Sequence, residues 1–349
     1  MDWNSYLGHE RQRSWFRNAI RNNRLASTFL MVGPDGIGKR TFARLIAKTM
    51  LCTGSDPSDF APCCRCEACA QIDASTHPDL IEIARRPDKT GLVMEQLVGE
   101  GERRMREGLC YELRMKPYSG RRKIAIVDDA DTIAEEGANS LLKTLEEPPP
   151  GSLIFLISTS AQRQLPTIRS RCQMARFQPL TATDLSQLIL RHGLATDEQS
   201  ALTLAAQAGG SMATVANWTD EELKTFRAEL FQQLIQRPLD FNKLAKAVQG
   251  NMESVGAESQ PRRERLKIIL DFALQFYRSG MVSKLNAPSG MHNRTASLDR
   301  YGHLSTLPSD SFVSAIKRCI EAREHLDRMV SPASLIEAWA ADLAVISIA

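Results

Sequence analysis

The nine residues Gly33-Pro34-Asp35-Gly36-Ile37-Gly38-Lys39-Arg40-Thr41 carry the spacing of a phosphate-binding loop. Glycines at 33, 36 and 38 let the backbone curl until several N–H groups share one concavity, and Lys39 supplies a point charge for a phosphate. The position expected to hold a magnesium-ligating hydroxyl is Arg40. A guanidinium stays cationic and ligates no metal. Thr41 is no simple replacement, because one step along a helix turns a side chain by roughly 100°. Further along, the apolar run Ile124-Ala125-Ile126-Val127 ends in Asp128-Asp129. Such paired acids can be helix caps, but behind a phosphate loop Asp128 suits orientation of a magnesium ion or its water. Asp129 stands where P-loop ATPases commonly place a glutamate that positions the attacking water; being about one methylene shorter, it can lower a rate on the order of 10²-fold. Gly33, Gly36, Gly38, Lys39, Thr41, Asp128, Asp129 and Thr159 form the candidate nucleotide set, for ATP or ADP with or without Mg²⁺.

A second constellation is made of cysteines. Five of the eight lie between Cys52 and Cys69, and Cys63, Cys66 and Cys69 repeat at intervals of three. In a reducing compartment such clustering points to metal. Cys52, Cys63, Cys66 and Cys69 can close around one Zn²⁺ as a structural site with no open position. Cys64 is spare, fitting the spacing less well. The alternative is a set of free thiols in a flexible loop, although Thr53-Gly54-Ser55-Asp56-Pro57 has no core of its own and a metal would organise it. His77, just before Pro78, reads as a capping or surface residue rather than a ligand.

The elements that must position these groups follow from periodicity. Phe29-Leu30-Met31-Val32 reads as a buried strand and Phe42–Met50 as a helix, the context a phosphate loop requires. Strands follow at Asp79–Ile83, Ile124–Val127 and Leu153–Ile157. A charged helix is predicted over Met94–Leu113, with Arg103, Arg104 and Arg106 on its wet side, and another over Ala138–Glu147, stopped by Pro148-Pro149-Pro150. Strands alternating with helices through residue 178 imply a parallel sheet covered on both faces. Beyond Pro179 the chain turns helical: Asp184–His192, Glu198–Ala208 and Met212–Trp218 suit a three-helix unit. Leu266, Ile269, Leu270, Ala273 and Phe276 fall at helical spacing, as do Phe312, Ile316, Cys319 and Ile320, all read as core. Ser331-Pro332 starts a last helix. Gly256–Arg265 and Ser283–Ser305 read as loops.

A chain of 349 residues predicts two or three domains. With 44 basic and 41 acidic residues the net charge is +3, too small for strong DNA binding by the whole-molecule field. No run reaches the length of a membrane span and no signal-peptide pattern opens the chain, so a cytoplasmic location without membrane contact is expected. The basic clusters lack interleaved aromatics, which argues against single-strand stacking.

The phosphate loop, the cysteine quartet, Thr76-His77-Pro78-Asp79, Asp128-Asp129-Ala130-Asp131, Asn139–Pro149 and Ser170-Arg171-Cys172 together resemble the bacterial clamp-loader subunits of DNA polymerase III over residues 8–215. The resemblance implies an α/β P-loop AAA+ parallel-sheet domain with a zinc-binding insertion, then an all-α lid and an all-α C-terminal collar. Expected boundaries are 1–178 with the cysteine module at about 52–69, 179–220 for the lid and 221–349 for the oligomerising collar. The family has tau/gamma motors, which hydrolyse ATP, and a stationary delta prime arm with a decayed site. Motors carry Thr or Ser where this chain has Arg40, Glu where it has Asp129, and an arginine where it has Ala213; these losses favour the delta prime kind, with little or no ATPase of its own. Arg171 is implied as an arginine finger reaching a neighbour's ATP, with a surface arginine as the plain alternative; Arg169 reads as a surface or pairing residue. The implied partners are tau/gamma and delta subunits in a hetero-pentamer, and through it the sliding clamp and primer-template DNA of the DNA-directed DNA polymerase holoenzyme. A tau/gamma-like motor and a zinc-braced adaptor outside replication are the competing readings.

Overall fold

The structure, a computed structural model, describes residues 1–103, 106–285 and 308–348. The chain divides into two compact units, Met1–Ala216 and Asn217–Ala349.

In the first unit the order is α1 (Glu10–Arg21), β1 (Thr28–Val32), α2 (Lys39–Leu51), α3 (Glu67–Asp73), β2 (Leu80–Ile83), α4 (Met94–Val98), α5 (Leu109–Glu112), β3 (Lys123–Val127), α6 (Glu135–Glu146), β4 (Ser152–Ser158), α7 (Pro166–Arg169) and β5 (Gln173–Arg176). The five strands form one sheet in the order β2-β3-β4-β1-β5, every neighbouring pair parallel. Parallel strands buried on both faces need apolar side chains at every position, which is why β1, β3 and β4 read as unbroken apolar runs. Alternate residues serve opposite cores. Phe29, Met31, Ile124, Ile126 and Phe155 face α1 and α2, where Phe16 and Phe42 complete an aromatic cluster. Leu30, Ala125, Val127, Ile154 and Leu156 face the opposite layer, with Leu97, Leu141 and Ile168.

The helix predicted over Met94–Leu113 is a miss. The segment holds two short helices, α4 and α5, with a 3-10 turn at Gly101–Arg103 between them. Gly99 and Gly108 adopt φ of 75° and 85°, and a side chain at either would strike backbone atoms within 3 Å, so the chain turns where periodicity suggests continuation. Arg103 pairs with Glu107 at 3.2 Å, and Arg104 lies outside the described residues.

Still in this unit, α8 (Ala182–Arg191) and α9 (Glu198–Gln207) begin on side-chain caps: Thr181 accepts from the Asp184 N–H and Asp197 from that of Ser200. With α10 (Met212–Thr219) they enclose a small core of Leu185, Ile189, Ala201, Ala205 and Val215. The second unit contains α11 (Glu221–Ile235), α12 (Phe241–Glu253), α13 (Ser259–Leu285), α14 (Ser309–Asp327) and α15 (Pro332–Ile348). Leu266, Ile269, Leu270, Ala273 and Phe276 are buried as their spacing predicts. On α14, Phe312 and Cys319 turn inward, whereas Ile320 is exposed and Ile316 only partly buried. The segment read as a loop over Gly256–Arg265 is helical from Ser259; of Ser283–Ser305, the first residues belong to α13 and those beyond Leu285 lie outside the described residues.

Candidate nucleotide site and cysteine cluster

Between β1 and α2 the phosphate loop is pinned carbonyl by carbonyl, by its own Lys39 and by residues outside it. The Lys39 ammonium donates to Gly33 O at 2.7 Å and Pro34 O at 2.5 Å. Ser211 Oγ donates to Asp35 O at 2.9 Å, and the Met212 N–H to Gly36 O at 2.9 Å. His9 Nε2 lies 2.8 Å from Ile37 O, and Tyr6 Oη donates to Gly38 O at 3.2 Å. Burial lowers the His9 pKa and raises that of Tyr6, so both stay neutral at these contacts. Gly36 has φ of 70°, and a Cβ there would come within 2.5 Å of Ala213 Cβ and N. Ala213 thus packs on the loop itself.

Arg40 points into the site. Its Nε lies 3.6 Å from Glu82 Oε1 and its Nη1 3.8 Å from Asp128 Oδ2. Glu82 is also held by Arg44 at 2.5 Å. Asp129, at φ of 51°, pairs with Arg85 Nε at 3.9 Å. Burial raises the pKa of both carboxyls, and for Asp129 the neighbouring Asp128 charge adds to it. Burial lowers that of Lys39. Gly36, Gly38, Lys39, Arg40, Thr41 and Asp128 line a cavity of about 660 Å³ whose other wall includes Tyr6, Leu180, Leu188 and Met212. Gly33, Asp129 and Thr159 are not among its lining residues. Thr159 instead donates its hydroxyl to Asp131, which also pairs with Arg163 at 3.8 Å.

These residues do not fit a magnesium ion in the usual place. Mg²⁺ wants oxygen ligands in near-octahedral array, and the carboxylate that would face it already has a guanidinium beside it. Glu82, Arg44 and Arg85 are contacts that the sequence motifs do not single out. Glu82 had a signal: it is the one charge inside the otherwise apolar β2, next to the strand that ends in Asp128.

Cys52, Cys63, Cys66 and Cys69 converge, their sulfurs all within 4.8 Å of one another and those of Cys52 and Cys66 3.8 Å apart. Four sulfurs at about 2.3 Å from one tetrahedral metal stand roughly 3.8 Å apart. The set therefore fits a closed thiolate site that braces the turn between α2 and α3. Cys64 is turned away, its thiol 3.6 Å from Met1 O and 3.4 Å from Pro62 O. The cluster needs Gly54, where a Cβ would lie 2.6 Å from Cys63 Sγ. His77 is buried rather than on the surface, and its Nδ1 accepts the Asp79 N–H at 3.0 Å.

Arg171 lies between α7 and β5. Its Nε donates to Glu146 Oε1 at 2.6 Å and its Nη1 to Thr167 O at 2.9 Å. Its own carbonyl accepts from Thr28 Oγ1 at 2.8 Å. Thr28 begins β1 and the phosphate loop follows the end of β1, so Arg171 and the loop lie at opposite ends of the strands.

A family profile described as DNA polymerase III, delta subunit, matches residues 8–181. A DNA polymerase III subunit tau/gamma of Haemophilus influenzae is 31% identical over 222 residues, covering 62% of this chain and 30% of that protein. A subunit delta' of Bacillus subtilis is 36% identical over 163 residues, 47% of this chain and 45% of that one. A subunit delta' of Pseudomonas aeruginosa is 30% identical over 226 residues, 64% and 65% respectively. The chain thus spans less than two thirds of the length of each. Among solved structures, a gamma subunit-related protein of Thermotoga maritima is 16% identical, covers 90% of this chain and 99% of that one, and gives a TM-score of 0.35. The profile match takes in the phosphate loop, the cysteine cluster and Arg171, and relatives of both the delta' and the tau/gamma kind agree with it: this chain belongs to the family of DNA polymerase III clamp-loader subunits.

Proposed function

We propose that the chain is the delta-prime-like, stationary AAA+ member of a clamp loader, assembled with tau/gamma and delta subunits in a hetero-pentamer that places a sliding clamp on primer-template DNA. The observation that carries this reading is Arg40 between Glu82 and Asp128, where a motor would hold magnesium. Without that ion the γ-phosphate has no metal bridge to neutralise its developing charge. Asp129, paired with Arg85, is withdrawn from positioning a water. The chain's contribution to catalysis is then Arg171, held at the other end of the strands from its own loop and so available to a neighbour's ATP. Glu146 and Thr167 hold the guanidinium in the free chain. The helical unit Asn217–Ala349 supplies the collar, and Zn²⁺ is the metal of the cysteine cluster, where it braces the fold and does no chemistry.

The test is Arg171→Ala in the reconstituted complex. Assembly should be retained while DNA-stimulated ATPase falls, the served site losing on the order of 10³-fold. An unchanged ATPase sinks the role of Arg171, and turnover by the isolated chain would favour the motor reading.

A further inference from the structure

The cavity beside the phosphate loop remains a built site even though its metal position is filled. Its volume of about 660 Å³ lies in the range of small-molecule pockets, with an apolar end at Leu180, Leu188 and Met212 and a cationic end at Lys39 and Arg40. The loop's carbonyls are engaged from Gly33 to Gly38, so it needs no refolding to meet an anion. Lys39 uses two of its three donors on Gly33 and Pro34. Arg40 carries five N–H donors in a planar fork, and its loose contacts of 3.6 and 3.8 Å leave some of them for another acceptor.

We propose that this site binds a nucleoside di- or triphosphate without a divalent cation, Arg40 bridging Asp128 and the outer phosphates as magnesium does in a motor. The inference rests on the reading of the chain as a member that does not turn over its own nucleotide. A fixed monovalent charge satisfies Asp128 and screens the phosphates, yet cannot leave and rebind as a metal can. The bound nucleotide would then set the lid through Ser211 and Met212, which already hold the loop.

The test is binding of ADP and ATP to the full chain by calorimetry, with magnesium and then with EDTA. The natural chain should bind with affinities that differ by less than about twofold between the two conditions. Arg40→Thr, which restores the hydroxyl, should make binding magnesium-dependent, weaker by about tenfold or more in EDTA. Arg40→Lys keeps the charge without the fork and should bind more weakly while staying indifferent to EDTA. Binding by the natural chain that requires magnesium, or no binding of either nucleotide, overturns the inference. A chain that binds nothing leaves the stationary reading standing, whereas one that binds and hydrolyses MgATP overturns both.

Discussion

Asp79 offers the sharpest test of how the sheet holds its site. The carboxylate is fully buried and accepts from Tyr118 N at 2.7 Å, Ser119 N at 2.8 Å and Ser119 Oγ at 2.6 Å, with Lys123 Nζ at 3.5 Å. Its backbone takes part as well: the Ile124 N–H donates to Asp79 O at 2.8 Å. One residue thus ties the start of β2, the turn at Pro117–Gly120 and the start of β3, the strand that ends at Asp128. Burial alone would raise its pKa, but hydrogen bonds from Ser119 and Tyr118 and the Lys123 charge outweigh that and hold it below the ordinary 3.8. Asp79→Asn keeps the shape, removes the charge and turns an amide toward one of the three donors. Hydrogen bonds to a charged group are worth about 1.5–3 kcal/mol each, and breaking a buried pair costs about 3–5 kcal/mol. Lys123 keeps Pro78 O at 3.1 Å and the half-exposed Glu112 at 4.0 Å, which softens the loss. The expected cost is therefore near the lower bound, about 3 kcal/mol, or roughly 6–12 °C in the melting of a unit this size. Because the folded pKa is depressed, the native contribution is present above 3.8 and fades as pH falls through the folded value. The gap between natural and Asp79→Asn chains should close in that window. Calorimetric melts give the total, and hydrogen exchange at Tyr118, Ser119 and Ile124 localises it. A loss under about 1 kcal/mol, the size of one neutral hydrogen bond, or a gap indifferent to acid, would refute the reasoning.

Two further outcomes are expected. Metal analysis of the purified chain should find one zinc per molecule, lost in Cys66→Ser and kept in Cys64→Ser, since only Cys66 shares the sulfur cluster. Gly36→Ala should destabilise by about 1–3 kcal/mol, because the new methyl meets Ala213 and Ser211 at 2.5 Å with φ at 70°; the readouts are the melting temperature and faster proteolysis within 179–216.

The cysteine quartet was legible because four cysteines clustered within eighteen residues suit one metal site, and their sulfurs do converge, and the sheet because strands buried on both faces leave apolar runs in the chain. Within β2 the run carries a charge, Glu82, but which partners that charge meets was not legible from the sequence. The local rule failed over Met94–Leu113, where glycines at positive φ break a helix that side-chain periodicity favours.

Residue type and order by themselves pointed to a phosphate loop with Arg40 at the position where a metal-ligating hydroxyl is expected. Where that guanidinium goes was a tertiary matter. It depends on β2 and β3 lying side by side, so that Glu82 and Asp128, far apart in the chain, form one acidic slot opposite the start of α2. The same holds for Arg171. Its motif is local, but its distance from its own phosphate loop follows from the parallel pairing of β1 with β5, which puts the start of one strand and the end of the other at opposite ends of the sheet's strands. Sequence specifies which groups carry charge; the fold decides which charges meet, because Coulombic and hydrogen-bonding contacts act over a few ångströms of space and are indifferent to separation along the chain.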